Sequence, residues 1–269
     1  MQDTTNQTAG IDWAEHWRSL VADRTAAAGS HGDPSYWDRR APTFARSTSA
    51  RGDGFLDVVA PYLSPRKTLI DVGAGAGRHA KPLAERLEWV TAVEPSAGMR
   101  ALIPPRDNMT VVASTWADAT VAPADLVICC HVLYGIAEPI PFIAKMERSA
   151  LERIFVMMRE APLLHPATVI RDRIAGGEEP RMPRFSDLFM LLMQMGIAPD
   201  VNFIRYPIVQ RYADIEEALA DCRAIVGNAW DDAKARVILK DVLTQEGDEL
   251  VFDGGLTLSG IAHWRPQGR

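Results

Sequence analysis

The strongest chemical signal lies in LIDVGAGAGRHAKPLA, where Asp71 ends a short apolar run and Gly73, Gly75 and Gly77 fill the turn that leads into a helix. Glycine lets backbone approach a bound molecule where any Cβ would collide. A second apolar run, WVTAVE, closes on Glu94, 21 residues after Gly73. A carboxylate at the tip of that strand can accept both hydroxyls of a ribose as charge-assisted hydrogen bonds. A glycine turn alone commonly binds nothing, and Glu94 alone could be a solvated loop acid; together they point to a nucleoside. The spacing is Gly-x-Gly-x-Gly, and Arg78 stands where a dinucleotide fingerprint needs a small residue packed on the sheet. That substitution argues against a nicotinamide-dependent oxidoreductase.

A later apolar run, ADLVICC, ends in Cys129 and Cys130 and is followed by His131 and Tyr134. The carboxyl ends of strands in an open α/β sheet are where ligands bind. His131 there has the chemistry of a general base near neutral pH, or of a group that only orients a substrate or caps the next helix. Cys129, Cys130 and Cys222 offer no metal-ligand spacing, so no metal is expected, and the adjacent pair fits reduced core thiols.

The elements that must position these residues alternate. After TLIDV at 68 to 72 come RHAKPLAERL, WVTAVE, SAGMRALI, MTVVAS, ADLVICC, PIPFIAKMERSAL and RIFVMM, strand and helix in turn. Strands separated by helices imply right-handed crossovers and a doubly wound parallel sheet. Three helices precede the first strand: one from Ile11 with Trp13, Trp17, Leu20 and Val21 at helical spacing, one from Pro34 through YWDRRAPTFARS, and one at FLDVVAPYL, the first two separated by GSHGDPS. Beyond Met158, FSDLFMLLMQMG reads as a helix, NFIRYPIVQRY as a strand, DIEEALADCRAIVG and DDAKARVILKDVLTQ as helices, and ELVFDG and LTLSGIAHWRP as strands.

IDVGAGAGR, AVEPSAGM and ADLVICCHVLYGI resemble the first, second and fourth motifs of class I S-adenosylmethionine-dependent methyltransferases of the small-molecule type. The resemblance spans about residues 67 to 160, with a weaker echo at 183 to 265. It implies an α/β, Rossmann-like seven-stranded sheet, parallel except for a last strand inserted antiparallel beside the fifth. It implies that Asp71, Gly73, Ala74, Gly75 and Gly77 underlie the methionine part of the cofactor, S-adenosylmethionine, and that Glu94 and Pro95 hold the ribose. Met99 would cover adenine or simply belong to the core. Asp118, within Trp116, Ala117 and Asp118, would accept from the adenine amino group; Trp116 would stack on adenine or pack. Cys130, His131 and Tyr134 would face the methyl group or the acceptor. In YWDRRAPTFA, Tyr36 and Arg40 would close over the sulfonium and the methionine carboxylate, unless the segment is an ordinary surface helix.

Net charge −6 would repel a nucleic acid backbone, so no nucleic acid partner is expected. No apolar stretch reaches the roughly 18 residues of a membrane span, and MQDTTNQTAG lacks the features of a secretory signal, so the expectation is a cytoplasmic protein with a small-molecule methyl acceptor. The expected organisation is amino-terminal helices and cap over 1–66, cofactor-binding core over 67–160, core continuation and substrate loop over 161–212, helical cap insertion over 213–247 and final strands over 248–269. His165, Arg171, Arg173, Arg181 and Arg184 could recognise an acidic acceptor or form a solvated face. A protein that binds the cofactor without turnover is the standing alternative to an enzyme.

Overall fold

The computed structural model describes residues 10–28, 34–48, 54–161, 164–176 and 181–267. Eight strands form one sheet: β1 (Thr68–Val72), β2 (Trp89–Val93), β3 (Met109–Val112), β4 (Ala124–Cys130), β5 (Ala150–Arg159), β6 (Asp200–Tyr212), β7 (Thr244–Glu246) and β8 (Glu249–Trp264). The order is β3-β2-β1-β4-β5-β8-β6, with the short β7 paired to β8. From β3 through β5 every pairing is parallel, and β8 runs antiparallel to both β5 and β6. This is the expected Rossmann-like arrangement with its antiparallel insertion. The eighth strand arises because Gly247, at φ +61°, lets the chain turn back over two residues and pair Glu246 with Glu249.

The central strands are apolar on both faces, as parallel strands covered by helices must be; four of the five residues of β1 are buried. By contrast β6 lies at an edge, which is why Pro207 is tolerated beside its register shift. ELVFDG and LTLSGIAHWRP, expected as separate strands, form the continuous β8, in which Gly254 lets the Leu164 carbonyl come within 2.9 Å of where a Cβ would sit.

Ten helices are described: α1 (Trp13–Ala28), α2 (Pro34–Thr48), α3 (Phe55–Val59), α4 (Ala80–Ala84), α5 (Ala97–Arg100), α6 (Pro139–Ser149), α7 (Pro166–Ala175), α8 (Phe185–Gln194), α9 (Ile215–Val226) and α10 (Asp232–Val242). The three helices expected before β1 are therefore present; residues 29–33, most of the GSHGDPS break, lie outside the described residues. One sheet face is covered by α1, α6 and α8 through Trp17, Ile143 and Leu188, the other by α3 and α4 through Phe55 and Leu83. Trp17 is fully buried and donates its indole N–H to the Ile136 carbonyl at 2.8 Å, which fixes α1 above the end of β4. A third core joins α7, α9 and α10 to Tyr212 and Phe252.

Candidate functional site

The turn after β1 is built by backbone. Gly73, Gly75 and Gly77 have φ of +70°, +55° and +76°, a region side chains rarely enter. The N–H groups of Gly73 and Ala74 donate to the Val93 carbonyl at 2.8 and 3.1 Å, docking the turn on the end of β2. A Cβ on Gly73 would lie 2.5 Å from Val132 Cγ2.

At the tip of β2 the Glu94 carboxylate is buried and accepts from Gly75 N through Oε2 and from Ser96 N through Oε1, both at 2.8 Å. Two backbone donors thus orient it, and each oxygen keeps a further lone pair for a ligand hydroxyl. Burial raises its pKa, opposed by those same N–H groups. Asp71 is buried with Oδ2 lacking any partner, and burial pushes its pKa up to about 6 against the attraction of His79.

Helix α2 lies over this turn. Asp38 Oδ1 accepts from Ser96 Oγ at 2.6 Å and Gly98 N at 2.8 Å, and a Cβ on Gly98 would come 2.9 Å from Asp38 Cα, so α2 and α5 touch backbone to backbone. Ala41, Ala76 and Met99 are buried together, with Trp37 and Phe44 packed against them. Met99 therefore sits in a small core between α2 and the turn.

On its other side α2 is tied to α9. Arg40 Nε donates to Asp221 Oδ1 at 2.5 Å and Nη1 to the Tyr36 hydroxyl at 2.7 Å. Asp221 Oδ2 lies 3.2 Å from both His165 Nε2 and the Tyr212 hydroxyl, and His165 Nδ1 accepts from Ala167 N. Since Nδ1 is an acceptor, Nε2 of the neutral ring carries the proton and donates to Asp221. Burial would raise the Asp221 carboxyl, but the His165 N–H and the Arg40 charge hold it well below the usual carboxylate range. Burial in turn lowers His165. Tyr36 and Arg40 are thus placed in a buried network shared with α9. Of the expected acidic-acceptor group, His165 belongs to this network, Arg171 donates to the Ile225 carbonyl, Arg173 pairs with Asp241, and Arg184 caps α8, while Arg181 is exposed.

At the carboxyl end of β4, His131 has φ +61°, the one non-glycine in the left-handed region among the described residues. Such strain persists where surrounding contacts over-determine it. Its Nδ1 is 2.9 Å from the Tyr134 hydroxyl and its Nε2 3.0 Å from the Tyr206 hydroxyl, which is 3.1 Å from Ser259 Oγ. The Tyr134 oxygen also accepts from Arg159 N at 2.7 Å. One proton order satisfies the whole chain: Tyr134 donates to Nδ1, Nε2–H donates to Tyr206, and Tyr206 donates to Ser259. Burial raises the Tyr134 pKa to about 12, keeping that hydroxyl protonated.

The remaining expected residues are more scattered. Trp116 is buried and donates to the Phe142 carbonyl at 3.2 Å, whereas Ala117 and Asp118 are exposed, Asp118 accepting from Thr115 Oγ1 at 2.7 Å. Pro95 is half-buried, its carbonyl bonded to Arg100, and Cys130 is half-buried against the core covered by α3 and α4. Sequence reasoning missed Asp38, Tyr206, Asp221 and Ser259. Asp38 carried a usable signal, an acid inside an aromatic helix; the others lie in distant segments whose pairing only the fold reveals.

Residues 70–151, the segment holding the turn, Glu94 and His131, match the family described as "Methyltransferase domain". Over this segment the chain is similar to class I S-adenosylmethionine-dependent methyltransferases. Two solved structures share the fold of this chain. One, from Bacillus halodurans C-125 and described as a methyltransferase, is 14% identical with a TM-score of 0.53, covering 79% of this chain and 99% of its own. The other, from Anabaena variabilis ATCC 29413 and described as a methyltransferase from an antibiotic biosynthesis pathway, is 17% identical with a TM-score of 0.54, covering 80% and 99%. No curated protein matches this sequence significantly. Among its described residues no helix is long and apolar enough to cross a membrane.

Proposed function

We propose that this methyltransferase transfers a methyl group to a small molecule held between the carboxyl edge of its sheet and a cap made of α1, α2 and α9. The observation that carries the reading is the position of α2: it is pinned to α5 by Asp38 and to α9 by Arg40, so the approach to the glycine turn is roofed by packed helix. A roofed pocket suits a compact acceptor better than a polymer.

The residues fit the cofactor's parts. Glu94 offers two pre-oriented oxygens for the ribose hydroxyls, the positive-φ glycines leave room for close backbone approach, and Asp71 Oδ2 is a buried acceptor without a partner. Gly73, Ala74, Gly75 and Gly77 would line the methionine part, and Pro95, Met99, Trp116, Ala117, Asp118 and Cys130 the adenosine side, with Tyr36 and Arg40 closing α2 above. When bound, S-adenosylmethionine supplies an electrophilic methyl group. Its in-line displacement needs alignment and exclusion of water more than acid–base help. His131 and Tyr134 serve that alignment: the ring is held from both nitrogens, so it presents a fixed surface to the acceptor.

The test is methyl release by the full chain with labelled S-adenosylmethionine over a panel of metabolites, with peptide and RNA pools as controls. Turnover confined to metabolites is expected. Turnover only on a macromolecular pool would overturn the reading, and tight cofactor binding with no turnover on any pool would favour a non-catalytic binding protein.

A further inference from the structure

Resting on the acceptor pocket just described, we infer that the acceptor bears an oxyanion, a carboxylate or phosphate, received by Arg159 and Arg24 at the carboxyl edge of β5. Arg159 is the last residue of β5 and faces Ser259 of β8 in register, so the two side chains share one face of the sheet. Thr257, two residues from Ser259, and its register partner Tyr206 lie on that same face. Two polar atoms here are buried with no hydrogen-bond partner: Arg159 Nε and Thr257 Oγ1. Orphaned buried donors are rare in native proteins, and a guanidinium pays most for the omission.

No acidic side chain pairs with Arg159 or with Arg24 among the described residues. The neighbouring Glu160 carboxylate is taken by Ser186 N, and Asp221 is taken by Arg40 and His165. Arg159 does lie over the Tyr134 ring, 5.3 Å from its centroid, which aims its planar face without neutralising its charge. Arg24 of α1 is within electrostatic range of Arg159, Tyr36 and Tyr134, and burial, with Arg159 adding to it, lowers its pKa despite the tyrosines. Two like charges held in each other's field without a counter-charge are waiting for one. Planar guanidiniums match carboxylate and phosphate oxygens bidentately. The site adjoins the His131–Tyr134–Tyr206 chain, so an anion bound there would anchor one end of the acceptor beside the residues that align it.

The full chain, with and without saturating S-adenosylhomocysteine, is titrated calorimetrically with acetate, benzoate, inorganic phosphate and phenyl phosphate, and with acetamide and benzamide as neutral isosteres. At least one oxyanion is expected to bind about tenfold or more tighter than its neutral isostere, and Arg24→Gln and Arg159→Gln each to remove about tenfold of that affinity while S-adenosylhomocysteine affinity stays within about twofold. Whether carboxylates or phosphates win identifies the group. Equal binding of anion and isostere, no oxyanion binding at all, or retained anion affinity in the variants would overturn the proposal. Arg24→Gln lies on a half-buried helix face and decides the matter if Arg159→Gln fails to fold. Failure of S-adenosylhomocysteine to bind would count against the methyltransferase reading alone, since the titrations without it still report the anion site.

Discussion

The turn between β1 and α4 is held through its backbone N–H groups, which donate to the Val93 carbonyl and the Glu94 carboxylate, whereas the junction of α2 with α9 is held by side chains on both sides. In the first, the groups that meet are close in sequence: Gly75 N reaches Glu94 across 19 residues, and Ser96 N reaches it across two. In the second, Arg40 meets Asp221 across 181 residues; Tyr36 shares the helix of Arg40, and the further partners His165 and Tyr212 come from two more places in the chain. Backbone geometry yields a site that tolerates few residue types, because glycine is required by φ; side-chain networks yield one whose parts depend on each other's charge.

That difference sets the largest expected effect. Asp221→Asn leaves the Arg40 guanidinium buried without its counter-charge, which costs about 3 to 5 kcal/mol of folding stability. Urea unfolding of the variant measures it. A loss below about 1 kcal/mol would mean that the junction is no more than a surface ion pair. Arg40→Met combined with Asp221→Leu should recover most of the loss, because removing both charges leaves none unpaired.

The turn gives a smaller effect, of opposite sign. Asp71 titrates near 6 in the folded chain against an ordinary 3.8, so the folded state holds the proton more tightly. Stability from this group is present in full below about 3.8 and is lost as pH rises through about 6, a penalty of roughly 3 kcal/mol for a two-unit shift. Unfolding of Asp71→Asn compared with the parent at pH 4.5 and pH 7.5 should show the variant's relative stability rising with pH. Parallel pH profiles for the two proteins would show that Asp71 is not held in a desolvated site.

The contrast also explains what could be read from residues alone. The order of elements, the glycine turn and Glu94 were legible because periodicity and backbone requirements are local, while the antiparallel insertion of the last long strand came from the resemblance to the methyltransferase family. Arg40 was legible as part of an aromatic, arginine-bearing helix but not as a partner of Asp221, since DIEEALADCRAIVG looks like any amphipathic helix and nothing local marks its aspartate as buried. Met99 and Trp116 were ambiguous between ligand contact and core for a physical reason: large apolar groups serve both, and here both are buried in packed clusters. The two short expected strands at the end merged into β8 because Gly254 and Gly255 let the strand continue past Leu164 instead of breaking it.

A finer effect probes the turn itself. Glu94→Ala removes the carboxylate that Gly75 N and Ser96 N orient and would leave ligand hydroxyls poorly satisfied, so S-adenosylmethionine and S-adenosylhomocysteine should each weaken by about 1.5 to 3 kcal/mol. Equal loss for both ligands is the informative outcome, because they share the ribose; loss for one alone would move Glu94 away from that sugar.

Calorimetric titration of the full chain with S-adenosylmethionine, S-adenosylhomocysteine and a nicotinamide dinucleotide tests the central claim most directly. The glycine turn, the oriented Glu94 carboxylate and Arg78 in place of a small residue predict that both sulfur ligands bind with affinities within about tenfold of each other while the dinucleotide does not bind. Binding of the dinucleotide on the order of micromolar, with neither sulfur ligand bound, would contradict the account.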